Sequence, residues 1–226
     1  MTVKDWLDIW LKDYQIGVKD STAYLYERQA KLYLRPALGN IPLETLKAHT
    51  VQRLYNSLSQ EHDGQPALSA KTIKNIHGVL HKALKQAVLI GYLRTNPTEA
   101  CILPRIIRKE MHPLEEDQVA VFLREVQGHP HEYLYKIALF TGLREGEVLG
   151  LGWEHIDFQA GTLTVKRQLR REQKKGGEYY FSPPKNNKSR CLTLASSVIQ
   201  LFRLQKLEQN SMRMEAGDAW EEHGLI

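Results

Sequence analysis

The stretch that decides the first half of the fold runs from residue 69 to residue 91 and reads SAKTIKNIHGVLHKALKQAVLIG. Serine often caps the N-terminus of a helix, as Ser69 would here, and glycine often follows the last residue of a helix, as Gly91 would. Between them, apolar residues recur every three or four positions, as on one face of a helix: Ile73, Ile76, Leu80, Ala83 and Ala87. The pattern predicts an α-helix over residues 70–90.

The other side of this predicted helix is basic. Lys71, Lys74, His81 and Lys85 follow one another at spacings of three, seven and four, which places them on one face. Such a face is an ordinary solvated surface in many proteins, and it is also how a helix lies against the phosphates of a DNA groove. Periodicity does not separate the two interpretations, so these four are candidate DNA-binding residues.

Further helices are predicted upstream. Thr2 and Asp5 have the form of a capping box, followed by an apolar series at helical spacing: Val3, Trp6, Leu7, Trp10, Leu11 and Tyr14. The other elements predicted before residue 69 are a second helix capped by Ser21 and ending near Leu34, a turn region with Pro36, Gly39 and Pro42, a third helix around residues 51–58 and a loop over residues 61–66. Residues 1–97 are therefore predicted to form a four-helix domain.

A basic, proline-containing stretch over residues 98–112 is predicted to link this domain to a second one over residues 113–226. The elements predicted there are a helix from Pro113, helices over residues 132–140 and 145–151, strands over residues 162–165, 179–181 and 191–194 with a hairpin tip at Gly176-Gly177, and a last helix from Ser196 or Ser197. The expected fold class is mainly α with a small antiparallel β-sheet.

Composition excludes several classes of protein. Of 226 residues, 42% are hydrophobic and 25% charged, which is enough apolar material for packed cores. No apolar run approaches the ~18 residues of a membrane span, and the N-terminus lacks the layout of a signal peptide. Cys101 and Cys191 form neither a disulfide framework nor a cysteine zinc site, so a cytoplasmic location is expected. The nucleotide-binding, serine-hydrolase and zinc-protease motifs are absent from the sequence, so these enzyme classes, with their cofactors and metals, are set aside.

Charge is distributed unevenly along the chain, whose formal net charge is +5. Residues 113–160 hold nine acidic and three basic residues, whereas residues 161–190 hold nine basic and two acidic ones. Clustered lysines and arginines bind polyphosphates by releasing condensed counterions. Within residues 161–190, further candidate DNA-binding residues are Lys166, Arg167, Lys188 and Arg190.

Two cationic residues are candidates for chemistry. Arg144 follows a glycine turn at a predicted helix start, where a guanidinium and backbone N–H groups can bind one phosphate. Glu147 lies three residues on and can hold that guanidinium, or the two form an ordinary surface pair. Lys185 lies in the polar stretch 183–190, which is alternatively a flexible basic loop.

Taken together and in order, these segments resemble the tyrosine recombinase, or phage integrase, family, in particular integrases of conjugative transposons and related phages. Residues 76–97 are similar to the last helix of the family's helical, SAM-like core-DNA-binding domain. Residues 141–157, with TGLREGEVLGL, resemble the segment that holds the first catalytic arginine, and residues 184–194 resemble the β-hairpin that carries the catalytic lysine.

The resemblance implies roles for three residues. Arg144 would bind the scissile phosphate and stabilise the transition state, Glu147 would support that site, and Lys185 would protonate the leaving 5′-oxygen. In the family a tyrosine near the C-terminus attacks the phosphate and forms a 3′-phosphotyrosine, so neither ATP nor metal is needed. The implied partners are double-stranded recombination sites, three further recombinase subunits in a tetramer, and a directionality factor.

The sequence departs from the family pattern at its end. None of its nine histidines has an arginine three positions later, although the family has an H-x-x-R box, and residues 220–226 resemble the segment before that box. Tyr179 and Tyr180 lie upstream in a predicted strand and are poor substitutes for the nucleophile. The expectation is a recombinase chain truncated within its catalytic domain that binds DNA without cleaving it. The alternative is a truncated integrase that acts only as a DNA-binding or regulatory remnant.

Overall fold

The structure is a computed structural model that describes residues 1–61, 64, 66–107, 110–173 and 176–226. The chain divides into two units, Met1–Glu110 and Met111–Ile226, each with its own hydrophobic core. The loop expected over residues 61–66 and the linker expected over residues 98–112 fall partly outside the described residues. Pro97–Ala100 forms a 3-10 turn with Thr98 buried, and the domain boundaries at 97 and 112 stay predictions.

The described part of the first unit is helical. Its α-helices are α1 (Val3–Asp13), α2 (Asp20–Gln29), α3 (Arg35–Leu38), α4 (Ala48–Leu58) and α5 (Ala70–Leu89). The capping box of Thr2 and Asp5 is present, and the Ser69 hydroxyl accepts a hydrogen bond from the Thr72 N–H, as the sequence predicts. The apolar stripe of α5 is buried, and the Trp6 indole N–H donates to the Ala83 carbonyl at 2.9 Å.

The second helix differs from its prediction at both ends. Lys19, and not Ser21, is the residue before the helix, and it makes no side-chain cap. The helical path also continues beyond Leu34, through a π-helical turn over Ala30–Leu34 into α3. Pro36 is tolerated in this helical path because it directly follows the π-helical turn. That turn is closed by the bond from the Arg35 N–H to the Ala30 carbonyl.

The second unit mixes helices with two small antiparallel sheets. Its described elements are α6 (Glu116–Glu125), α7 (Glu132–Thr141), α8 (Glu145–Val148), β1 (Ile156–Asp157), β2 (Thr162–Val165), β3 (Gln168–Arg171), β4 (Tyr179–Ser182), β5 (Arg190–Thr193) and α9 (Ser196–Ala216). The expected fold class, mainly α with small antiparallel sheet structure, is confirmed. The helix expected over residues 145–151 is a single turn.

The strands form two sheets, where one was predicted. In the first sheet β2 lies between β1 and β5, with Leu163 opposite Leu192. The strand predicted over residues 179–181 instead pairs with β3, which the sequence analysis missed, and forms a two-stranded ribbon with Leu169 opposite Phe181. The hairpin tip predicted at Gly176-Gly177 lies between these two strands.

The core of the second unit forms between the three-stranded sheet and the helices. Leu163 and Val165 of β2 are fully buried, and Phe202 of α9 and Ile137 of α7 belong to the same cluster. This packing holds the end of α7, the whole of α8 and the start of β5 around one place. In the part of the chain that the structure describes, no helix has the length and apolar character needed to cross a membrane.

Candidate functional site

The turn between α7 and α8 presents Arg144. Gly142 ends α7 in the left-handed region, with φ +62°, where a side chain would strain the backbone. Arg144 is then the residue before α8, and its backbone N–H donates to Glu147 Oε2 at 3.0 Å. Its Nη1 donates to Glu147 Oε1, also at 3.0 Å, while 62% of its side chain stays exposed. Glu147 therefore holds the Arg144 guanidinium through Nη1, while much of the Arg144 side chain stays accessible to solvent.

Glu147 is the centre of the site. Its side chain is 1% exposed, and Arg190 at the start of β5 donates to both of its oxygens, at 2.8 and 2.7 Å. These bonds from Arg190, and then those from the backbone and side chain of Arg144, lower the pKa of Glu147 to about 2, although burial opposes the shift. Glu147 is thus an anion at physiological pH that joins α8 to β5.

Lys185 lies beside this pair of arginines. The loop between β4 and β5 turns at Asn187, which has a positive φ of 54° and donates from its backbone to the Pro184 carbonyl at 2.8 Å. An open cleft of about 590 Å³ brings together the cationic candidates of this region. Its lining residues are Gly142, Arg144, Pro184, Lys185, Asn186, Lys188, Ser189 and Arg190. Four cationic side chains around one cleft favour a phosphate ligand.

Arg167 and Lys166 do not line this cleft. The Arg167 Nε donates to the Gly150 carbonyl at 2.9 Å, its guanidinium lies 3.2 Å from Glu154, and its Cζ is 4.2 Å from the centre of the Phe181 ring. These contacts hold the ribbon of β3 and β4 near the end of α8. Lys166 is exposed just beyond β2.

The basic face predicted on α5 is present in part. Lys71 and Lys85 are exposed and Lys74 is half-buried. The His81 Nδ1 is instead 2.8 Å from the Thr98 hydroxyl, and the His81 ring stacks on His77 at 5.5 Å. The Thr98 hydroxyl in turn donates to Asn96 Oδ1 at 2.7 Å, and the Asn96 Nδ2 lies 3.2 Å from the His81 Nδ1. The imidazole therefore joins α5 to the turn that follows it.

The bond between Arg190 and Glu147 is the feature that the sequence analysis missed. The sequence makes Arg190 a DNA-binding candidate because it lies in a basic stretch. In the structure its guanidinium is bonded to the carboxylate of Glu147, 43 positions earlier. The sequence around either residue carries no signal for this pair, because the pair depends on how β5 is placed beside α8. Among the described residues, no three histidine, cysteine or acidic side chains are grouped to hold a metal.

A helical first unit, and a second unit in which Arg144 and Lys185 line one cleft and Glu147 is bonded to Arg144, are features of the tyrosine recombinase class. Two family models match the chain. The phage integrase N-terminal SAM-like domain matches residues 2–59, and the phage integrase family model matches residues 112–219. The chain belongs to the phage integrase family.

Relatives with similar sequences carry recombinase names. A tyrosine recombinase XerC-like protein of Caldanaerobacter subterraneus subsp. tengcongensis is 28% identical over 97% of this chain and 59% of its own length. An integrase of Streptomyces ambofaciens is 27% identical over 100% of this chain and 57% of its own length. The chain therefore spans somewhat more than half the length of the curated relatives it matches.

Solved structures of integrases on DNA are similar to this one. The Tn1549 transposon integrase in complex with a circular intermediate DNA has a TM-score of 0.79 and 26% identity, over 93% of this chain and 66% of that one. A lambda integrase tetramer bound to a Holliday junction has a TM-score of 0.60 and 25% identity, over 81% of this chain and 51% of that one.

Proposed function

We propose that these 226 residues bind duplex DNA and provide the phosphate-binding half of a tyrosine recombinase active site. The observation that carries the proposal is the cleft in which Arg144, Lys185, Lys188 and Arg190 meet. Phosphodiesters are recognised by such groups of cations, and Arg144 keeps an exposed guanidinium there. The DNA-bound integrases with similar folds support the same substrate.

Each residue of the site has a distinct proposed role. Arg144 donates to the non-bridging oxygens of the scissile phosphate and stabilises the added negative charge of the pentacoordinate transition state. Glu147 holds Arg144 in place, and Lys185 protonates the 5′-oxygen as its bond to phosphorus breaks. The attacking oxygen belongs to a tyrosine of the family that follows an H-x-x-R box, and neither feature is in these 226 residues.

The first unit is proposed to hold the DNA through α5. Lys71, Lys74 and Lys85 share one helix face, where their ammonium groups can contact successive backbone phosphates. In this proposal the domains are residues 1–97 and 113–226, and the segment between them is a linker. By comparison with the lambda integrase tetramer bound to a Holliday junction, four recombinase subunits would assemble on two DNA sites. The family resemblance adds to this proposal a location in the bacterial cytoplasm and a directionality factor that sets the direction of recombination.

We further propose that the 226-residue polypeptide binds DNA without cleaving it, because covalent catalysis needs a positioned nucleophile. The test combines gel-shift binding with a suicide substrate, a duplex nicked so that a cleaved end diffuses away. We expect a shifted band and no covalent protein–DNA adduct on a denaturing gel. An adduct would contradict the second proposal, and absence of any shifted band at low salt would contradict the first.

A further inference from the structure

We propose that Arg190 is a positioning residue, which takes up the charge of Glu147 so that Arg144 keeps its positive charge for a DNA phosphate. The inference rests on the proposed function of the cleft and changes the role that the sequence suggests for Arg190. In this view Arg190 raises affinity for DNA without itself contacting DNA.

The two arginines bind the same carboxylate in different ways. Arg190 meets Glu147 through two bonds, from Nη1 to Oε1 at 2.8 Å and from Nη2 to Oε2 at 2.7 Å. Arg144 meets it through Nη1 at 3.0 Å and through its own backbone N–H. The Arg190 side chain is 36% exposed and that of Arg144 is 62% exposed. A two-pronged guanidinium–carboxylate pair is the stronger arrangement, so Arg190 is the main partner of Glu147.

The balance of charges in this cluster decides which arginine can present a positive charge to DNA. Two guanidinium groups share one carboxylate, so the cluster keeps one net positive charge, and the more exposed arginine is the one able to present it. If Arg190 loses its charge, Arg144 remains as the cation bonded to Glu147 among the residues described. A buried carboxylate without its ion partner is costly, so Arg144 would close onto Glu147 and its charge would be neutralised.

Arg190 also ties the lysine loop to Arg144. It follows Lys185 by five residues and begins β5, where it lies opposite Val165 of β2. Its bond to Glu147 therefore fixes the downstream end of the loop against α8. The pairing of β5 with β2 does not include Glu147, so Glu147→Gln is expected to separate the charge effect from the fold.

The test is the salt dependence of binding to a fluorescent 30-base-pair duplex, measured by anisotropy with the full 226-residue chain. Each lost phosphate contact lowers the slope of log affinity against log salt by about 0.9. We expect Arg144→Gln and Arg190→Gln each to lower the slope by about one contact. We expect the double variant Glu147→Gln/Arg190→Gln to recover the slope, because the neutral amide introduced at position 147 no longer draws Arg144 away from the DNA.

Lys188→Gln is the matched control, since Lys188 lines the same cleft and lies two residues before Arg190. Lys188→Gln is also expected to lower the slope, and addition of Glu147→Gln should not restore it. This result would exclude a general effect of net charge. If Arg190→Gln does not fold, as judged by circular dichroism, the double variant Glu147→Gln/Arg190→Gln is compared directly with the native chain. The proposal expects equal slopes, whereas a direct contact of Arg190 with DNA would lower the slope of the double variant by about one contact.

Two outcomes separate the inference from the proposed function. If the double variant Glu147→Gln/Arg190→Gln keeps the lower slope of Arg190→Gln, the loss does not act through Glu147 and the inference is wrong. If Arg144→Gln leaves the slope of the native chain unchanged, the cleft does not bind DNA phosphate and the proposed function is wrong at this site.

Discussion

Glu147 is the residue on which the site depends. It is an acidic side chain buried beside two arginines, and its four hydrogen bonds come from Arg144, just before α8, and from Arg190 at the start of β5. A carboxylate with this many donors is stabilised as the anion, which accounts for its pKa of about 2. Its protonation state therefore couples the site to the stability of the second unit.

The pH dependence of stability follows from this pKa. The folded-state pKa lies below the ordinary value of 4.5. The Glu147 contribution, of the order of 3 kcal/mol, is therefore fully present above about pH 4.5 and is lost as the pH falls towards 2. We expect the urea midpoint of the second unit to fall over that range, and to fall less in Glu147→Gln. The unfolding of both proteins is followed by two-dimensional NMR. If the urea midpoint falls equally in both, Glu147 does not have this role.

On α5, individual lysines test the proposed DNA face. We expect Lys71→Ala and Lys74→Ala each to weaken binding and to lower the salt slope by about one phosphate contact. Lys12→Ala is the control, because Lys12 is equally charged and exposed but lies on α1. Anisotropy titrations at several salt concentrations give the slopes. A loss as large for Lys12 as for Lys71 would show that the effect is one of net charge alone.

At the scale of elements, the ribbon of β3 and β4 packs on α8 through glycine. A Cβ atom at Gly146 would lie 2.8 Å from the Leu169 carbonyl oxygen, and one at Gly150 would lie 2.8 Å from the Leu169 nitrogen. Arg167 reinforces this joint through the Gly150 carbonyl. The element that carries Glu147 is thus held between the ribbon on one side and β5 on the other.

Gly146→Ala tests the close approach of these elements. We expect it to destabilise the second unit by about 1–3 kcal/mol, because backbone atoms cannot move aside as a flexible side chain would. Gly78→Ala is the matched control, since Gly78 also lies in a helix but has open space where a Cβ would go. It should stabilise the first unit by about 0.5–1 kcal/mol. Urea unfolding gives both values, and a neutral Gly146→Ala would contradict the close packing.

At the scale of the whole molecule, the chain holds two separate cores. The first includes Trp6, Tyr55 and Leu80, and the second includes Leu163, Val165 and Phe202. Because each cluster is built from residues of its own unit, each unit has the means to unfold cooperatively.

We therefore expect two transitions when urea unfolding is followed through amide signals of each unit. Gly78→Ala should shift only the transition of the first unit, and Gly146→Ala only that of the second, because each substitution lies within one core region. A common shift of all signals by either substitution would show one cooperative body and contradict the expectation.

The sequence by itself determined the local elements. The helix α5 and its Ser69 cap, the Thr2 capping box and the strand β2 are visible in it, because caps and periodicity depend on residues a few positions apart. The closeness of Arg144 and Glu147 was predictable for the same reason, since the residue before a helix and the third residue of that helix are neighbours.

Only the tertiary structure decided the partners that are far apart in sequence. Glu147 and Arg190 are 43 positions apart, and the pairing of β4 with β3 instead of β2 depends on strand register. Arg167 lies in a basic stretch of the sequence, and only the tertiary structure brings it to the Gly150 carbonyl and the Phe181 ring. Such contacts form when distant segments are brought together around a core, and local pattern carries no record of which segments meet.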